Sequence, residues 1–300
     1  MIRKHAPPLA IAALSLALLD IPAAQAASQT LEKIKEVGKV TFGYREASIP
    51  FAYLGADQKP TGLSLDLCSA VADRIKAVLK RSALQIDYVP VNASNRIPLL
   101  QNGTIDVECG STTNTAERQK QVSFSVATYV ASPRWLVSAS SQVMEPKGID
   151  GQTVVITQGS LNFAVARKFL DDQKLNVTIV QAKDHAESLL MLGTGRAVAW
   201  FEDDILLAGL VANASDPKAF RMLATTYAPS YYGLMTRGED PEFKALVDTA
   251  IKEKMASGAF DKLYAKWFES PIPPKGQNLQ LPMSEAMKAR VTSPSDALVP

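Results

Sequence analysis

The side chains best suited to chemistry are basic and hydroxyl groups gathered between positions 96 and 118. Arg96 opens this stretch, Ser111 and Thr113 lie in a run of small hydroxyl residues, and Arg118 closes it. A guanidinium group binds a carboxylate through two parallel hydrogen bonds, and hydroxyls supply neutral donors beside it. The stretch is therefore suited to holding an anion. Hydroxyls that only cap a helix and arginines that only face solvent would give the same local pattern.

The same stretch predicts the elements that position these groups. Arg96 falls in the first turn of a short helix, and Gly103 ends that helix in a left-handed conformation. A strand is expected at 105–109, and Arg118 begins the next helical segment. The hydroxyl residues then follow the carboxyl end of a strand, which is where open α/β sheets bind ligands.

Strands and helices alternate along the rest of the chain, an order typical of an α/β fold with a parallel sheet covered by helices. Further strands are expected at 39–44, 84–89, 153–156, 176–180, 196–201 and 231–237. Helices are expected at 30–37, 63–80, 162–174, 184–192, 241–256 and 258–268, and the tail after 270 as a wrapping or loose segment. Helix, glycine, strand and polar terminus occur twice, ending at 110–113 and 202–204. Duplication of one supersecondary unit explains this repeated order, and so does the alternation of helices and strands that is common to α/β folds.

Composition excludes several classes of function. Of the 300 residues 47% are hydrophobic and 21% charged, which is the balance of a globular protein. The 32 basic side chains nearly match the 30 acidic ones, so no nucleic-acid partner is expected. No cysteine or histidine spacing is that of a metal site, and no cofactor is expected.

The N-terminus has the pattern of a secretory signal peptide. Arg3 and Lys4 precede an apolar run at 9–19, and small residues at Ala24 and Ala26 end it. Cleavage after Ala26 is expected to give an exported, periplasmic protein. Cys68 and Cys109 then lie in an oxidising compartment, and either a disulfide or two buried thiols are compatible with the sequence.

With these residues assembled, the chain resembles the periplasmic solute-binding proteins of bacterial amino-acid uptake transporters. Within that family it is most similar to the glutamate/aspartate-binding proteins. The stretches that carry the resemblance are 43–46, 95–104, 108–114, 117–119, 182–185, 195–199, 203–204, 266–268 and 271–274. The resemblance implies the type II periplasmic binding protein fold, with two α/β lobes joined by two crossing hinge strands. Lobe 1 is expected at 28–133 and 229–300 and lobe 2 at 134–228, after a signal peptide at 1–26.

The resemblance also implies a role for each residue of the binding site. Arg118 matches the arginine that clasps the ligand's α-carboxylate, with Ser111 and Thr113 beside it. Asp203 matches the acid that accepts the α-ammonium group.

Five further residues complete the implied site. Ser160 and Leu161 offer backbone N–H groups at a helix N-terminus, a place that favours anions. Arg45, Arg96 and His185 match the group around a side-chain carboxylate.

Charge counting favours an acidic ligand. Three arginines and one aspartate give the implied site a charge of +2, whereas glutamate or aspartate carries −1. A glutamine would leave one guanidinium buried without a counter-charge, which is unfavourable. Two positions depart from the acidic-ligand pattern: Ala93 replaces a hydroxyl residue and Leu161 replaces a threonine. The choice between glutamate and aspartate, and the alternative of glutamine or another polar amino acid, therefore stay open.

The function expected is capture of L-glutamate or L-aspartate by hinge closure, with delivery to the membrane permease subunits of an ABC importer. The protein is expected to be a monomer and not an enzyme. The alternative on the same fold is a cyclohexadienyl or arogenate dehydratase, which needs a general acid or base. Only Glu202, Asp204 and His185 are candidates for that role, and no nucleophile motif accompanies them.

Overall fold

The computed structural model describes residues 2 and 28–298, so the predicted signal peptide lies outside the described residues apart from Ile2. The strands are β1 Lys39–Tyr44, β2 Ala47–Ser48, β3 Ala52–Leu54, β4 Pro60–Thr61, β5 Gln85–Pro90, β6 Val107–Thr113, β7 Val122–Phe124, β8 Tyr129–Ala131, β9 Pro133–Ser138, β10 Thr153–Thr157, β11 Thr178–Ala182, β12 Ala199–Asp203, β13 Phe220–Met222, β14 Ser230–Arg237, β15 Pro271–Ile272 and β16 Gln277–Asn278. The helices are α1 Gln29–Val37, α2 Leu63–Val78, α3 Arg96–Gln101, α4 Ala116–Gln119, α5 Asn162–Gln173, α6 His185–Gly193, α7 Asp204–Ala212, α8 Pro241–Ala256, α9 Ala259–Phe268 and α10 Glu285–Thr292.

In both large sheets the three parallel strands lie in the order second, first, third, and an antiparallel strand follows the third. The first runs β5-β1-β6-β14-β7, with β8 also paired to β14, and the second runs β11-β10-β12-β9-β13. In each sheet three parallel strands come from a strand-helix-strand-helix-strand unit, β1 to β6 in the first and β10 to β12 in the second. The unit that the sequence suggested as a repeat is therefore present twice.

Both sheets are mixed rather than purely parallel, because one strand joins the parallel strands of each in the opposite direction, β14 in the first sheet and β9 in the second. In the first sheet β14 pairs antiparallel with β6, placing Tyr232 opposite Thr113 and Gly233 opposite Thr112. This pairing extends β6 to Thr113, whereas the sequence predicted that the strand ends at 109. The hydroxyl residues thus belong to the strand itself.

The C-terminal tail contains elements that the sequence analysis did not predict. The strands β15 and β16 form a small hairpin, and α10 packs its buried Met287 toward α8 and β8. Ser284 begins α10 by accepting a hydrogen bond from the Met287 backbone N–H at 3.2 Å. The tail is therefore an ordered part of the first sheet's side of the molecule.

The chain passes between the two sheets at two adjoining places. Residues 131–133 lead from β8 into β9, and residues 223–229 lead from β13 back to β14. These segments are hydrogen-bonded, since the Tyr227 N–H donates to the Pro133 carbonyl at 3.2 Å. Across 28–298, no helix has both the length and the apolar character needed to cross a membrane.

A disulfide joins Cys68 of α2 to Cys109 of β6, with their Cα atoms 6.3 Å apart. The sequence had left this disulfide and two buried thiols as alternatives. The bond fixes α2 against the strand that carries Ser111 and Thr113, so the helix braces one wall of the cleft described next.

Candidate functional site

All nine residues predicted to bind ligand line one narrow cavity of about 10 Å³. The cavity lies where the carboxyl ends of β1, β6, β10 and β12 face one another, which is the ligand-binding edge of open α/β sheets. Its lining comprises Arg45, Ala93, Arg96, Ser111, Thr113, Arg118, Ser160, Leu161, Asn162, His185, Glu202, Asp203 and Leu206.

Two of the arginines approach the cavity from the first sheet. Arg45 follows the end of β1 and is 2% exposed, and its Nη2 has no hydrogen-bond partner among the described residues. Arg96 is the first residue of α3, and its Nη1 donates to the Thr112 hydroxyl. The same Nη1 lies 3.9 Å from Oε1 of the buried Glu108. Each guanidinium therefore keeps N–H groups free to point at a bound anion.

Arg118 touches both sides of the cavity. Its backbone N–H donates to the Thr115 hydroxyl that caps α4 at 3.2 Å, which fixes the start of this short helix. Its Nη1 donates to the Thr113 carbonyl at 2.8 Å, and its Nη2 reaches the Gly159 carbonyl at 3.4 Å. Gly159 belongs to the turn after β10, so Arg118 bridges the two sheets.

The second sheet supplies helix N-termini. Gly159 has φ +74° and turns the chain from β10 to Ser160 and Leu161, which precede α5. The side chain of Asp184 caps α6 by accepting from the Glu187 N–H at 2.9 Å. This cap places His185 at the first position of α6, where it is 2% exposed.

Asp203 ends β12 and is 3% exposed. The Tyr232 hydroxyl, from β14 of the first sheet, donates to its Oδ2. Asn162 Nδ2 lies 3.5 Å from its Oδ1. Burial raises the pKa of Asp203 to about 6, and the Tyr232 hydrogen bond opposes that rise. Asp203 is thus ionised at neutral pH and presents a carboxylate to the cavity.

The three arginines remain charged at neutral pH, although Arg45 and Arg96 are buried and Arg118 is partly buried. Burial, and then the neighbouring Arg96, lower the pKa of Arg45 to about 10 and that of Arg118 to about 9. Burial, and then Arg45 and Arg96, hold the pKa of His185 well below its ordinary value, so the imidazole is neutral. The site therefore offers three guanidinium groups and one uncharged ring.

The net charge of +2 predicted for the site is wrong, because it counted Asp203 as the only acid. Glu108 and Glu202 are also buried, and both act on Arg45 and Arg96 electrostatically. With every acid ionised the charges cancel, and with one proton on Glu202 the net charge is +1. Burial and Asp203 raise the pKa of Glu202 to about 8, which favours the protonated state at neutral pH.

Asn162 and Glu202 line the cavity but were absent from the predicted site. The sequence feature that could have indicated Glu202 is its position beside Asp203 at the polar end of a strand. Neighbouring residues of a strand normally face opposite sides, however, which argues against both lining one cavity. Asp204, the third acid of that run, does not line the cavity. It accepts the Ser132 N–H at 3.1 Å and so ties α7 to the crossing segment.

Comparison with known proteins identifies the family. Residues 40–270 match the model of the bacterial extracellular solute-binding proteins, family 3. The L-glutamate/L-aspartate-binding protein of Pseudomonas aeruginosa is 45% identical over 295 residues, covering 98% of each chain. The glutamate/aspartate import solute-binding protein of Escherichia coli is 40% identical over 296 residues, again covering 98% of each chain.

A solved structure supports the same assignment. An ancestral arginine-binding protein bound to arginine superposes with a TM-score of 0.69 at 26% identity, over 77% of this chain and 98% of the other. The expected type II periplasmic binding protein fold is confirmed. These relatives are transport or binding proteins and not enzymes, which favours the binding function over the dehydratase alternative. The chain belongs to the bacterial extracellular solute-binding proteins of family 3.

Proposed function

We propose that this protein binds L-glutamate or L-aspartate and delivers it to the membrane permease subunits of an ABC importer. The observation that carries the proposal is the convergence of Arg45, Arg96 and Arg118 in one buried cavity that also contains the Asp203 carboxylate. An acidic amino acid has two carboxylates and one ammonium group, which such a set can neutralise. The names of the two bacterial relatives support the same ligands.

The proposed roles divide the cavity into two ends. At one end Arg118, Ser111 and Thr113 hold the α-carboxylate, and Asp203 accepts the α-ammonium group. Arg118 is already oriented by its hydrogen bond to the Thr113 carbonyl, so little side-chain freedom is lost when a ligand binds.

At the other end Arg45, Arg96 and His185 hold the side-chain carboxylate, and the Leu161 backbone N–H adds a donor at the start of α5. The Ser160 backbone N–H already donates to the Thr157 carbonyl at 3.1 Å. Ala93 and Leu161 line the cavity with apolar side chains where hydroxyls were expected. The specificity between two carboxylate ligands therefore depends on the charged groups and the backbone, with no help from those two side chains.

We further propose that 28–133 with 229–300 form one lobe and 134–228 the other, and that ligand closes them. The two sheets and the two adjoining crossing segments support this division. Contacts from Tyr232 to Asp203 and from Arg118 to Gly159 hold the lobes together in the closed form. The protein is proposed to act as a periplasmic monomer after its signal peptide at 1–26 is removed.

The experiment that tests the proposal compares two arginine variants by isothermal titration calorimetry across the common amino acids. Arg118→Ala should abolish binding of every amino acid, since all share the α-carboxylate. Arg96→Ala should weaken glutamate by about 2–5 kcal/mol and glutamine much less, because only glutamate loses a charge pair. The glutamate-to-glutamine affinity ratio should therefore collapse in Arg96→Ala alone.

Arg74→Ala is the matched control, because Arg74 is a partly exposed arginine paired with Glu253 on the surface. It should bind like the wild type. Tighter binding of glutamine than of both acidic amino acids by the wild type would overturn the proposed ligand. An unchanged ratio in Arg96→Ala would overturn the role of that residue.

A further inference from the structure

Asn162 is a buried residue of the cavity lining to which the proposed function gives no role. It is the first residue of α5 and is 3% exposed. Its backbone N–H donates to the Ser160 hydroxyl at 3.2 Å. Its side-chain Nδ2 donates to Oε1 of Glu202 and lies 3.5 Å from Oδ1 of Asp203. The amide nitrogen is therefore held on the side that faces the two carboxyl groups.

Glu202 fixes the orientation of this amide. Its Oε1 also accepts the Asp203 backbone N–H at 3.0 Å, whereas its Oε2 has no hydrogen-bond partner among the described residues. In a protonated carboxyl group the carbonyl oxygen is the stronger acceptor, so a proton on Glu202 lies on Oε2. Oε1 therefore accepts from Asn162 whether Glu202 is ionised or protonated, and the amide nitrogen must face it.

With its nitrogen fixed, the amide of Asn162 has its oxygen left over. This Oδ1 is buried and has no hydrogen-bond partner among residues 2 and 28–298, and the residue lines the binding cavity. A buried carbonyl oxygen without a donor is unfavourable, because it has lost its hydrogen bonds to water. A ligand that brings an N–H to this point removes that penalty when it binds.

Asp203 presents an oxygen beside the same amide. Its Oδ2 accepts the Tyr232 hydroxyl, so Oδ1, the oxygen near Asn162 Nδ2, keeps more acceptor capacity for a ligand. The nitrogen and oxygen of an amide share one carbon atom, so the unpartnered oxygen of Asn162 is close to this carboxylate. An ammonium group has three N–H donors and can therefore serve both acceptors.

We propose that Asn162 Oδ1 is a second acceptor for the α-ammonium group of the ligand, beside Asp203, and that Glu202 is the positioning residue that orients it. This inference rests on the proposed function, because it concerns the α-ammonium end of the same cavity. Asp203 supplies the negative charge, and Asn162 adds a directed acceptor without a further charge. The pair therefore selects amino acids over dicarboxylates that lack an amino group.

The first test compares L-glutamate with glutarate, which has the same two carboxylates and no amino group. Calorimetry measures glutamate directly and glutarate by competition with glutamate. Asn162→Ala should lower the affinity for glutamate roughly ten- to hundredfold, because a hydrogen bond from a charged donor is lost. Its affinity for glutarate should stay close to that of the wild type, since glutarate has no N–H to place at this oxygen.

Asn213→Ala is the matched control for this substitution. Asn213 is the other asparagine of the described chain whose buried Oδ1 has no hydrogen-bond partner, and its Nδ2 donates to the Gly209 carbonyl at 3.0 Å. It follows α7 and does not line the cavity. Its replacement should leave the affinities for glutamate and glutarate unchanged.

The second test concerns Glu202 and uses glutamate alone. Glu202→Gln and Glu202→Leu both remove the charge, but only the glutamine keeps an Oε1 that accepts from Asn162 and from the Asp203 N–H. The affinity for glutamate should therefore be lower in Glu202→Leu than in Glu202→Gln. The same comparison in an Asn162→Ala background should give a smaller difference, because the side chain that Glu202 orients is absent.

The outcomes separate this inference from the proposed function. Failure of the wild type to bind either acidic amino acid would overturn the proposed function. Glutamate binding that Asn162→Ala leaves intact, or equal fold losses for glutamate and glutarate, would overturn the role of Asn162. A difference between Glu202→Leu and Glu202→Gln that is the same with and without the Asn162 side chain would overturn the positioning role of Glu202.

Discussion

At the scale of single residues, the site brings positively charged arginines close together, and nearby buried acids offset their repulsion. Burial, and then the neighbouring Arg96, lower the pKa of Arg45, and Glu108 of β6 raises the pKa of both arginines against their burial. Glu108 is itself held through Oε2, which accepts from the Thr112 hydroxyl at 2.8 Å. Because Thr112 also accepts from Arg96, one hydroxyl orients both an arginine and its counter-charge.

Tyr232→Phe should weaken binding of every amino acid, because it removes the hydroxyl that donates to Asp203. A hydrogen bond to a charged group contributes about 1.5–3 kcal/mol, so the affinity should fall roughly ten- to hundredfold. The loss of this donor also raises the pKa of Asp203 further above its ordinary value, so more of the carboxyl is protonated near pH 6. Calorimetry should therefore show a larger loss at pH 6 than at pH 8.

Tyr231→Phe serves as the control for this substitution. Its ring is a partly exposed neighbour that stacks under Arg290, with 4.8 Å between the guanidinium carbon and the ring centroid. Removal of its hydroxyl should leave the affinities unchanged. A Tyr232→Phe protein whose affinity is lowered equally at both pH values would argue against the titration of Asp203.

Residue types alone predicted four residues of the cavity lining, all in the stretch from Arg96 to Arg118, and the resemblance supplied the other five predicted residues and all of the roles. Glu202 was not predicted as a binding-site residue, and the alternation of side chains along a strand argues that it faces away from Asp203. At the end of β12, where α7 begins, both carboxyl groups nevertheless line the cavity. Local patterns do not reveal such an end effect.

At the scale of elements, the main error of the sequence analysis was the end of β6. Its hydrogen-bonded partner β14 lies more than a hundred residues later, and no local pattern near Cys109 reveals a pairing of that range. By contrast α8, which Asp240 caps and Pro241 begins, was predicted with its observed bounds. Helix ends carry their signals within a few residues, whereas strand ends depend on the partner strand.

Asp184→Ala should destabilise α6 and disturb the histidine that this helix presents. Loss of the N-cap typically costs about 1 kcal/mol, which urea unfolding at pH 7 measures. Because His185 is the first residue of α6, affinity for glutamate should fall as well. Asp184→Asn keeps a capping side chain and should restore most of the stability.

Ser284→Ala is the matched control for the cap of α6, since Ser284 caps α10 far from the cavity. It should lower stability by a similar amount and leave the affinity for glutamate unchanged. Equal losses of affinity in the two variants would show that the effect of Asp184 is one of stability alone.

At the scale of the whole molecule, closure of the two lobes depends on a close backbone contact between Gly159 and residues 93–94. A Cβ atom at Gly159 would lie 2.7 Å from the Ala93 carbonyl carbon and 2.7 Å from the Ser94 nitrogen. Gly159→Ala should therefore hold the lobes apart and lower the affinity for every amino acid at least about tenfold, or 1.4 kcal/mol. Small-angle scattering should show that glutamate reduces the radius of gyration of the wild type and not that of this variant.

Gly195→Ala controls for the strain of the backbone. Gly195 has φ +75°, close to the +74° of Gly159, but a Cβ there meets nothing within 4 Å. Both variants carry the penalty of a left-handed alanine, and only one carries the steric conflict. Compaction of Gly159→Ala by glutamate would contradict the closure model.

The stability of the whole fold should depend on pH through Glu202. In the unfolded chain this group ionises near its ordinary pKa of 4.5, whereas burial and Asp203 raise its pKa to about 8 in the folded protein. Folding thus requires a bound proton between these values, so stability is greatest below pH 4.5 for this group and is lost as pH rises toward 8. The slope is at most about 1.4 kcal/mol per pH unit.

Glu202→Gln should remove this dependence. Urea unfolding at pH 5, 6.5 and 8 should show that the free energy of unfolding of the variant increases relative to that of the wild type as pH rises. A difference in stability that stays constant over this range would mean that Glu202 does not take up a proton on folding.

The position of β14 within the first sheet has a consequence for the order in which the chain can fold during its synthesis. β14 fills the gap between β6 and β7, yet β7 ends at Phe124 and β14 begins only at Ser230. At about 5–20 residues per second, the two waiting strands stay unpaired on that side for roughly 5–20 s. The nascent chain therefore cannot complete its first sheet until β14 has been synthesised.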